Sequence, residues 1–134
     1  MKNLLFIFIT IIFVGCEPAY NVSIHNNSPN TLYIKTSPSI ESLLYSKSGS
    51  HYDSIINRKV GQTDKYSLYS LKPFDTFRLW GNIGGWPVLY ELPFDYVEII
   101  NSTDTLILDS KEKIMNQVKK GNRKRDFYIE IVPQ

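Results

Sequence analysis

Apolar and polar residues alternate with a period of two along most of the chain after residue 20. Asn21 to Asn26 sets Val22 and Ile24 against Ser23 and His25, and Thr31 to Thr36 alternates through Leu32 and Ile34. Such alternation marks strands with one buried face. Between the two segments, Asn26-Asn27-Ser28-Pro29-Asn30 gathers turn-forming residues, so the pattern predicts a β-hairpin. Residues 37–64 are less regular. Glu41 to Tyr45 suits a short strand or a turn of helix, Ser46 to Asp53 a loop, and Ser54 to Ile56 the start of a short strand ending before Gly61. Alternation returns in Tyr66 to Leu71, stopped by Pro73, and in Thr76 to Trp80, with Phe77 and Leu79 on one side. Gly81 to Gly85 reads as a loop. Pro87 to Leu92 and Tyr96 to Ile100 read as strands divided by Pro93, and Asn101 to Asp104 as a turn before the apolar strand Thr105 to Leu108.

One segment breaks the period. Asp109 and Glu112 have capping-box spacing, Ile114, Met115 and Val118 share a helical face, and Gly121 is placed to stop the chain turning. This predicts one short helix near residues 110–120. Phe127 to Val132 alternates again as a closing strand. Seven or eight strands with regular turn signals and a single helix predict a mainly β fold: one β-sandwich, Ig-like or transthyretin-like, over residues 21–134. Cys16 is the sole cysteine, so the domain folds without an intrachain disulfide, and its length suffices for that.

The chain opens differently. Met1-Lys2-Asn3 precedes Leu4 to Val14, eleven residues among which only Thr10 is polar, and then Gly15-Cys16. A membrane-crossing helix needs roughly 20 apolar residues. A positive amino end, a shorter apolar run and a small residue closing it are the parts of a secretory signal peptide. The closing residues Phe13-Val14-Gly15-Cys16 resemble the lipobox of bacterial lipoproteins, with Phe13 standing where an aliphatic residue is usual. The resemblance implies that signal peptidase II removes residues 1–15 and that Cys16 carries a diacylglyceryl group, its palmitate-like chains holding the protein on a membrane. Residues 16–20 are then a lipidated cysteine and a short tether. Glu17-Pro18-Ala19-Tyr20 reaches at most about 14 Å, which places the domain close against that membrane. By the same resemblance, Glu17 is not the aspartate that retains lipoproteins in the inner membrane, which points to the outer membrane. A lone acidic residue after Cys16 leaves the periplasmic and cell-surface faces both open.

Further along, Ile24-His25-Asn26-Asn27-Ser28 with Leu32-Tyr33-Ile34, and the late Asp104-Thr105-Leu106 strand followed by a helix and an aromatic closing strand, resemble small uncharacterised β-sandwich lipoproteins of Gram-negative bacteria. That resemblance covers most of residues 16–134 and brings no activity with it.

Charge changes the picture at one place. Residues 111–125 hold seven Lys and Arg against one Glu, a net +6, while the rest of 16–134 is net −5. Lys119, Lys120, Arg123, Lys124 and Arg125 are candidate anion-binding residues. Export argues against nucleic acid. Anionic lipid head groups, lipopolysaccharide phosphates or an acidic protein surface are the matching chemistries. The plainer account is a solvated helix end whose cations answer the helix dipole. If the last strand runs antiparallel to the first, these residues lie at the end of the domain away from Cys16.

Candidate chemistry is otherwise sparse. His25 and His51 have no second ligand at metal-binding spacing, so no metal or cofactor is expected. Ser54 and Asp53 adjoin His51 but lack a Gly-x-Ser-x-Gly elbow. Gly81-x-x-Gly84-Gly85 lacks the Lys-Ser/Thr of a phosphate loop. The aromatics around it are more informative. Trp80, Trp86 and Tyr90, with Asn82 as a polar contact, form a candidate ligand or partner surface, set against the alternative that the tryptophans fill the core. Asp53-Ser54-Ile55 and Asp104-Thr105-Leu106 match the Asp-Ser/Thr-aliphatic pattern of O-glycosylation in some Gram-negative lineages, making Ser54 and Thr105 candidate sites. The expectation is a membrane-anchored envelope lipoprotein acting as a protein- or glycan-binding module. The alternative is an envelope enzyme or enzyme inhibitor using the 80–90 loop or the basic 111–125 segment. Asp53, Asp64, Asp75, Glu91 and Asp95 gathered in one cleft would mark the enzyme.

Overall fold

The computed structural model describes residues 19–43, 50–123 and 125–131. Residues 1–18 with Cys16, residues 44–49 with the first part of the loop expected at Ser46 to Asp53, Lys124 and residues 132–134 lie outside the described residues. The chain forms β1 (Ala19–Asn26), β2 (Leu32–Ser37), helix α1 (Ser50–Ile56), β3 (Lys59–Gln62), β4 (Ser67–Leu71), β5 (Thr76–Ile83), β6 (Tyr96–Ile100), β7 (Thr105–Leu108), helix α2 (Lys111–Gln117), β8 (Lys119–Lys120) and β9 (Asp126–Ile131). The fold is mainly β, with two sheets of order β5-β1-β9-β8 and β3-β4-β2-β6-β7 making a β-sandwich.

The period-two pattern places the core. Val22, Ile24, Phe77, Leu79, Phe127 and Ile129 come from the first sheet; Leu32, Ile34, Tyr69, Leu71, Val97 and Ile99 come from the second. All are buried in one cluster. The two helices close the sides between the sheets. α1 sends Ile55 into the core, and Arg58 just after it pairs with Asp75 at the head of β5 (2.8 Å). α2 links edge strand β7 to edge strand β8 and buries Ile114, with Met115 and Val118 partly covered.

The first two strands do not form a hairpin. β1 pairs with β5 and β9, whereas β2 pairs with β4 and β6, so residues 27–31 arch from one sheet to the other. Asn26 explains the arch. Its fully buried side chain donates to the carbonyls of Asn30 (2.8 Å) and Lys72 (2.9 Å), and its oxygen accepts from the Ser28 hydroxyl (2.7 Å) and amide (3.0 Å). The cluster is a turn, as its composition says, but one fastened to the β4–β5 connection.

Other expectations are corrected nearby. Besides the expected helix, residues 50–56 form a second short helix among the described residues, and it lays Ile55 into the core. The strand expected from Ser54 begins only at Lys59. β5 continues through the expected glycine loop to Ile83, because Gly81 sits where a Cβ would stand 2.5 Å from the Tyr20 carbonyl oxygen. Pro87 to Leu92 is not a strand; it contains a 3-10 turn at Leu89–Glu91 between two prolines. The cap of α2 is Ser110, whose hydroxyl accepts from the Lys113 amide (3.2 Å), while Asp109 pairs with the Lys113 side chain (2.6 Å). The helix ends at Gln117, before Gly121, since Lys119 and Lys120 pair with Tyr128 and Phe127.

The consequential difference is strand direction. β9 runs parallel to β1, with Asn21 beside Asp126 and Asn26 beside Ile131. The turn carrying Arg123 and Arg125 therefore lies beside the start of β1, not at its far end.

Candidate functional site

Two connections meet at the amino end of β1. Ala19 is opposite Ile83, so β5 delivers its following loop here. Gly84, with φ of 143°, turns the chain outward in a region that side chains disfavour. Beyond it Trp86 is 59% exposed, Leu89 40% and Tyr90 83%. The Tyr20 hydroxyl pins this loop by donating to the Glu91 carboxylate (3.1 Å). Burial, with that carboxylate beside it, pushes the Tyr20 hydroxyl above its ordinary pKa. On the other flank, the Asn21 amide donates to the Arg125 carbonyl (3.2 Å) and the Gly121 amide to the Asp126 carbonyl (2.7 Å). These bonds fix the basic turn against β1.

The aromatic loop and the basic turn touch. The Trp86 ring packs at 5.5 Å from Phe127, and the Lys120 ammonium lies 4.6 Å from the Trp86 ring centre, a cation–π distance. Lys119, its side chain alternating to the other side of the short strand, pairs instead with Glu130 (3.3 Å). Arg123 and Arg125 are exposed. The two surfaces read separately from the sequence thus meet in one rim of Trp86, Leu89, Tyr90 and Lys120, with exposed Arg125 on the adjoining turn, while Arg123 of that turn lines a cleft with His25, Tyr128 and Glu130. Asn82 is exposed beside it, opposite Tyr20.

Trp80 does not belong to this rim. It is only 8% exposed, packs into the core with Phe94 edge-on at 6.1 Å, and lines a separate cleft with Arg78, Asn82 and Glu91. A bulge explains it: the register shifts between Val22 and Ser23, which face Trp80 and Arg78, and both Leu79 and Trp80 are buried.

No protein-family model, curated protein or solved structure matches the chain. The site therefore stands on its own geometry.

Other candidate residues are dispersed. His25 stacks on Tyr128 (4.7 Å, 8° between planes) on the outer face of the first sheet. His51 and Ser54 share a cleft with Arg58 and Arg78, but Asp53 is exposed and does not line it. Burial and the Arg78 charge hold His51 below its ordinary pKa. The five carboxylates that would mark an enzyme do not gather. Asp75 pairs with Arg58, Glu91 with Tyr20, and Asp95 lies 3.9 Å from Lys111; Asp53 and Asp64 are exposed on other elements. Among the described residues no three His, Cys, Asp or Glu side chains stand together as metal ligands, and no helix is long and apolar enough to cross a membrane. Ser54 is half-buried on α1, whereas Thr105 is exposed at the start of β7, its amide held by the Asp104 carboxylate (2.7 Å).

Sequence reasoning missed the roles of Tyr20, Glu91 and the Lys120–Trp86 contact. Each depends on which strands are neighbours, and no local pattern carries that.

Proposed function

We propose that this chain is an exported lipoprotein, held at the outer membrane through a lipidated Cys16, whose sandwich is a binding module of the cell envelope and not a catalyst. The observation that carries the binding reading is the rim. Trp86 and Tyr90 are exposed on a loop pinned by the Tyr20–Glu91 bond, and Trp86 meets Lys120 at the edge of the turn that carries Arg125. Rigid exposed aromatics contribute contact area at little entropic cost, which suits binding to a component of the envelope, and the adjacent cation favours an anionic one. The apolar run Leu4 to Val14 and Gly15-Cys16 support the anchor. The dispersal of Asp53, Asp64, Asp75, Glu91 and Asp95 disfavours the enzyme alternative.

Two measurements test this. Metabolic labelling with a tagged fatty acid is expected to mark the wild type and not Cys16→Ser; equal labelling sinks the anchor. In-cell crosslinking from the 84–90 loop is expected to capture a specific envelope component, and the capture is expected to weaken in Tyr90→Ser. An unchanged pattern sinks the rim as the binding surface.

A further inference from the structure

We propose that the rim around Ala19 docks on the lipid bilayer itself, with Trp86, Leu89 and Tyr90 entering the head-group region and Lys120 and Arg125 meeting anionic lipid phosphates. This names the occupant of the binding surface and rests on the Cys16 anchor.

The first argument is reach. β1 begins at Ala19, so only Glu17 and Pro18 separate the folded domain from Cys16. Three residue steps extend to roughly 10 Å, little more than the thickness of a head-group layer. An anchor at Cys16 thus leaves no room for a protein between the Ala19 end and the membrane. Whatever residues surround Ala19 face the bilayer.

The second argument is what surrounds Ala19. Indole and phenol rings favour the membrane–water interface, where an apolar body and a polar tip are both accommodated. Trp86 and Tyr90 are the two most exposed aromatics at this end, and Leu89 stands with them. Basic side chains next to an anionic surface add attraction that falls off within a Debye length. Lys120 lies over the Trp86 ring, and the Arg125 backbone is fastened to Asn21, so the basic turn is held at the same end as the rings. Three acids also stand at this end. Glu91 is engaged by Tyr20, Asp126 is half-buried where the basic turn closes, and Asp95 faces Lys111. Apolar rings flanked by cations, at the end where an acylated segment enters, complement an anionic membrane surface.

The third argument concerns the other end. The arch of residues 27–31, the β4–β5 turn with Phe74 (73% exposed) and the β6–β7 turn lie away from Ala19. Docking through the rim turns these outward. A protein or glycan partner then meets that end, not Trp86.

The test uses the full chain in phosphatidylcholine vesicles, with and without phosphatidylglycerol, whose acyl chains are brominated near the head group. Tryptophan emission reports two sites: Trp86 at the rim and Trp80 in the core. Quenching is expected in the wild type and is expected to vanish in Trp86→Phe, which keeps a ring against Phe127 and leaves Trp80 as reporter. Tyr90→Ser changes a side chain that is 83% exposed, so folding is spared while association weakens. Neutralising Lys120 and Arg125 together is expected to lower partitioning of Cys16→Ser full chain onto the anionic vesicles on the order of tenfold, with little change on neutral ones. Fatty-acid labelling of Cys16 reads the anchor separately. Labelled protein with quenched Trp86 supports the proposal. Labelled protein whose Trp86 is no more quenched than Trp80 overturns the docking and leaves the anchor standing, as does a protein or glycan crosslinked at the 84–90 loop in place of lipid. Absence of labelling overturns the anchor and the docking that rests on it.

Discussion

Asn26→Ala tests the central structural claim, that residues 26–30 fasten an arch between sheets. The wild-type side chain makes bonds to the Asn30 and Lys72 carbonyls and to the Ser28 hydroxyl and amide, at 2.7 to 3.0 Å, and is fully buried. Alanine removes all of them. The Ser28 amide loses its partner inside the protein, while the Lys72 carbonyl keeps the Asp75 amide (3.3 Å) and the Asn30 carbonyl keeps the Ser28 hydroxyl (3.2 Å). A buried polar group left unpaired costs about 1–3 kcal/mol, so one such group plus a small cavity puts the loss at about 2–4 kcal/mol. That is a large share of the roughly 5–15 kcal/mol that holds a domain of this size. The assay is urea unfolding followed by Trp80 emission, with Ser28→Ala and the double variant completing a cycle. Ser28→Ala alone is expected to cost about 1 kcal/mol, and the double variant less than the sum of the singles, because the two side chains share a bond. A loss below about 1 kcal/mol for Asn26→Ala, or strict additivity, refutes the reasoning and returns the segment to an ordinary surface turn.

Three further outcomes are expected. Gly81→Ala places a methyl group 2.5 Å from the Tyr20 carbonyl oxygen, a backbone atom that cannot step aside, and is expected to destabilise by about 1–3 kcal/mol in the same urea assay; a neutral result would falsify the close approach of β5 to β1. Phe74 has φ of 56° and is 73% exposed, so Phe74→Asn relieves left-handed strain without losing buried surface; thermal melting is expected to rise by a few degrees, and a fall would show that the Phe74 ring is held by something it touches. Glu98 accepts from Tyr96 (2.6 Å) and Lys35 (3.0 Å), and the hydrogen bond from Tyr96, together with the Lys35 contact, holds its carboxyl below the ordinary range. The carboxylate also pushes the Tyr96 hydroxyl up to about 12. A depressed acid contributes stability that is present above its unfolded pKa of about 4.3 and is lost as pH falls through the lower folded value, so Glu98→Gln is expected to flatten the loss of stability on acidification below about pH 5. An unchanged acid limb would remove Glu98 from that role.

How much of this was legible in the sequence follows from where the information resides. Val22, Ile24, Leu32, Ile34, Phe77, Leu79, Phe127 and Ile129 were placed on inner faces by alternation alone, because a strand with one wet face must alternate. Chain direction and partner choice leave no such trace. Asn26 to Asn30 has the same composition whether it closes a hairpin or an arch; the difference is the Lys72 carbonyl across the sandwich. Trp80 and Trp86 stand six positions apart in similar glycine-rich surroundings. The bulge opposite Val22 and Ser23 buries the first, and the turn at Gly84 exposes the second. Residues 50–56 carry no clear period in either sense, and the decision for a helix comes from the place Ile55 finds in the core. The basic segment was legible as charge, but its contact with Trp86 was not, since Lys120 reaches that ring only through the pairing of β8 with β9.

Direction of the last strand decides the most. β1 is a central strand, held by β5 on one side and β9 on the other, so the end where the chain enters is rigidly coupled to both neighbours. With β9 parallel to it, the turn before β9 and the loop after β5 are brought to that same end, and the Tyr20–Glu91 and Asn21–Arg125 bonds fix them there. An antiparallel β9 would keep every residue, the same charge and the same alternation, yet carry Arg123 and Arg125 to the Asn26 end and leave Trp86 without Lys120. A cationic patch facing away from the proposed anchor would invite a soluble partner; the same patch beside it, with Trp86 against Lys120, would face the membrane as proposed. The distinction between those two functions therefore lies in one strand's orientation, which is why Trp86 quenching by lipid tests the topology as much as the surface.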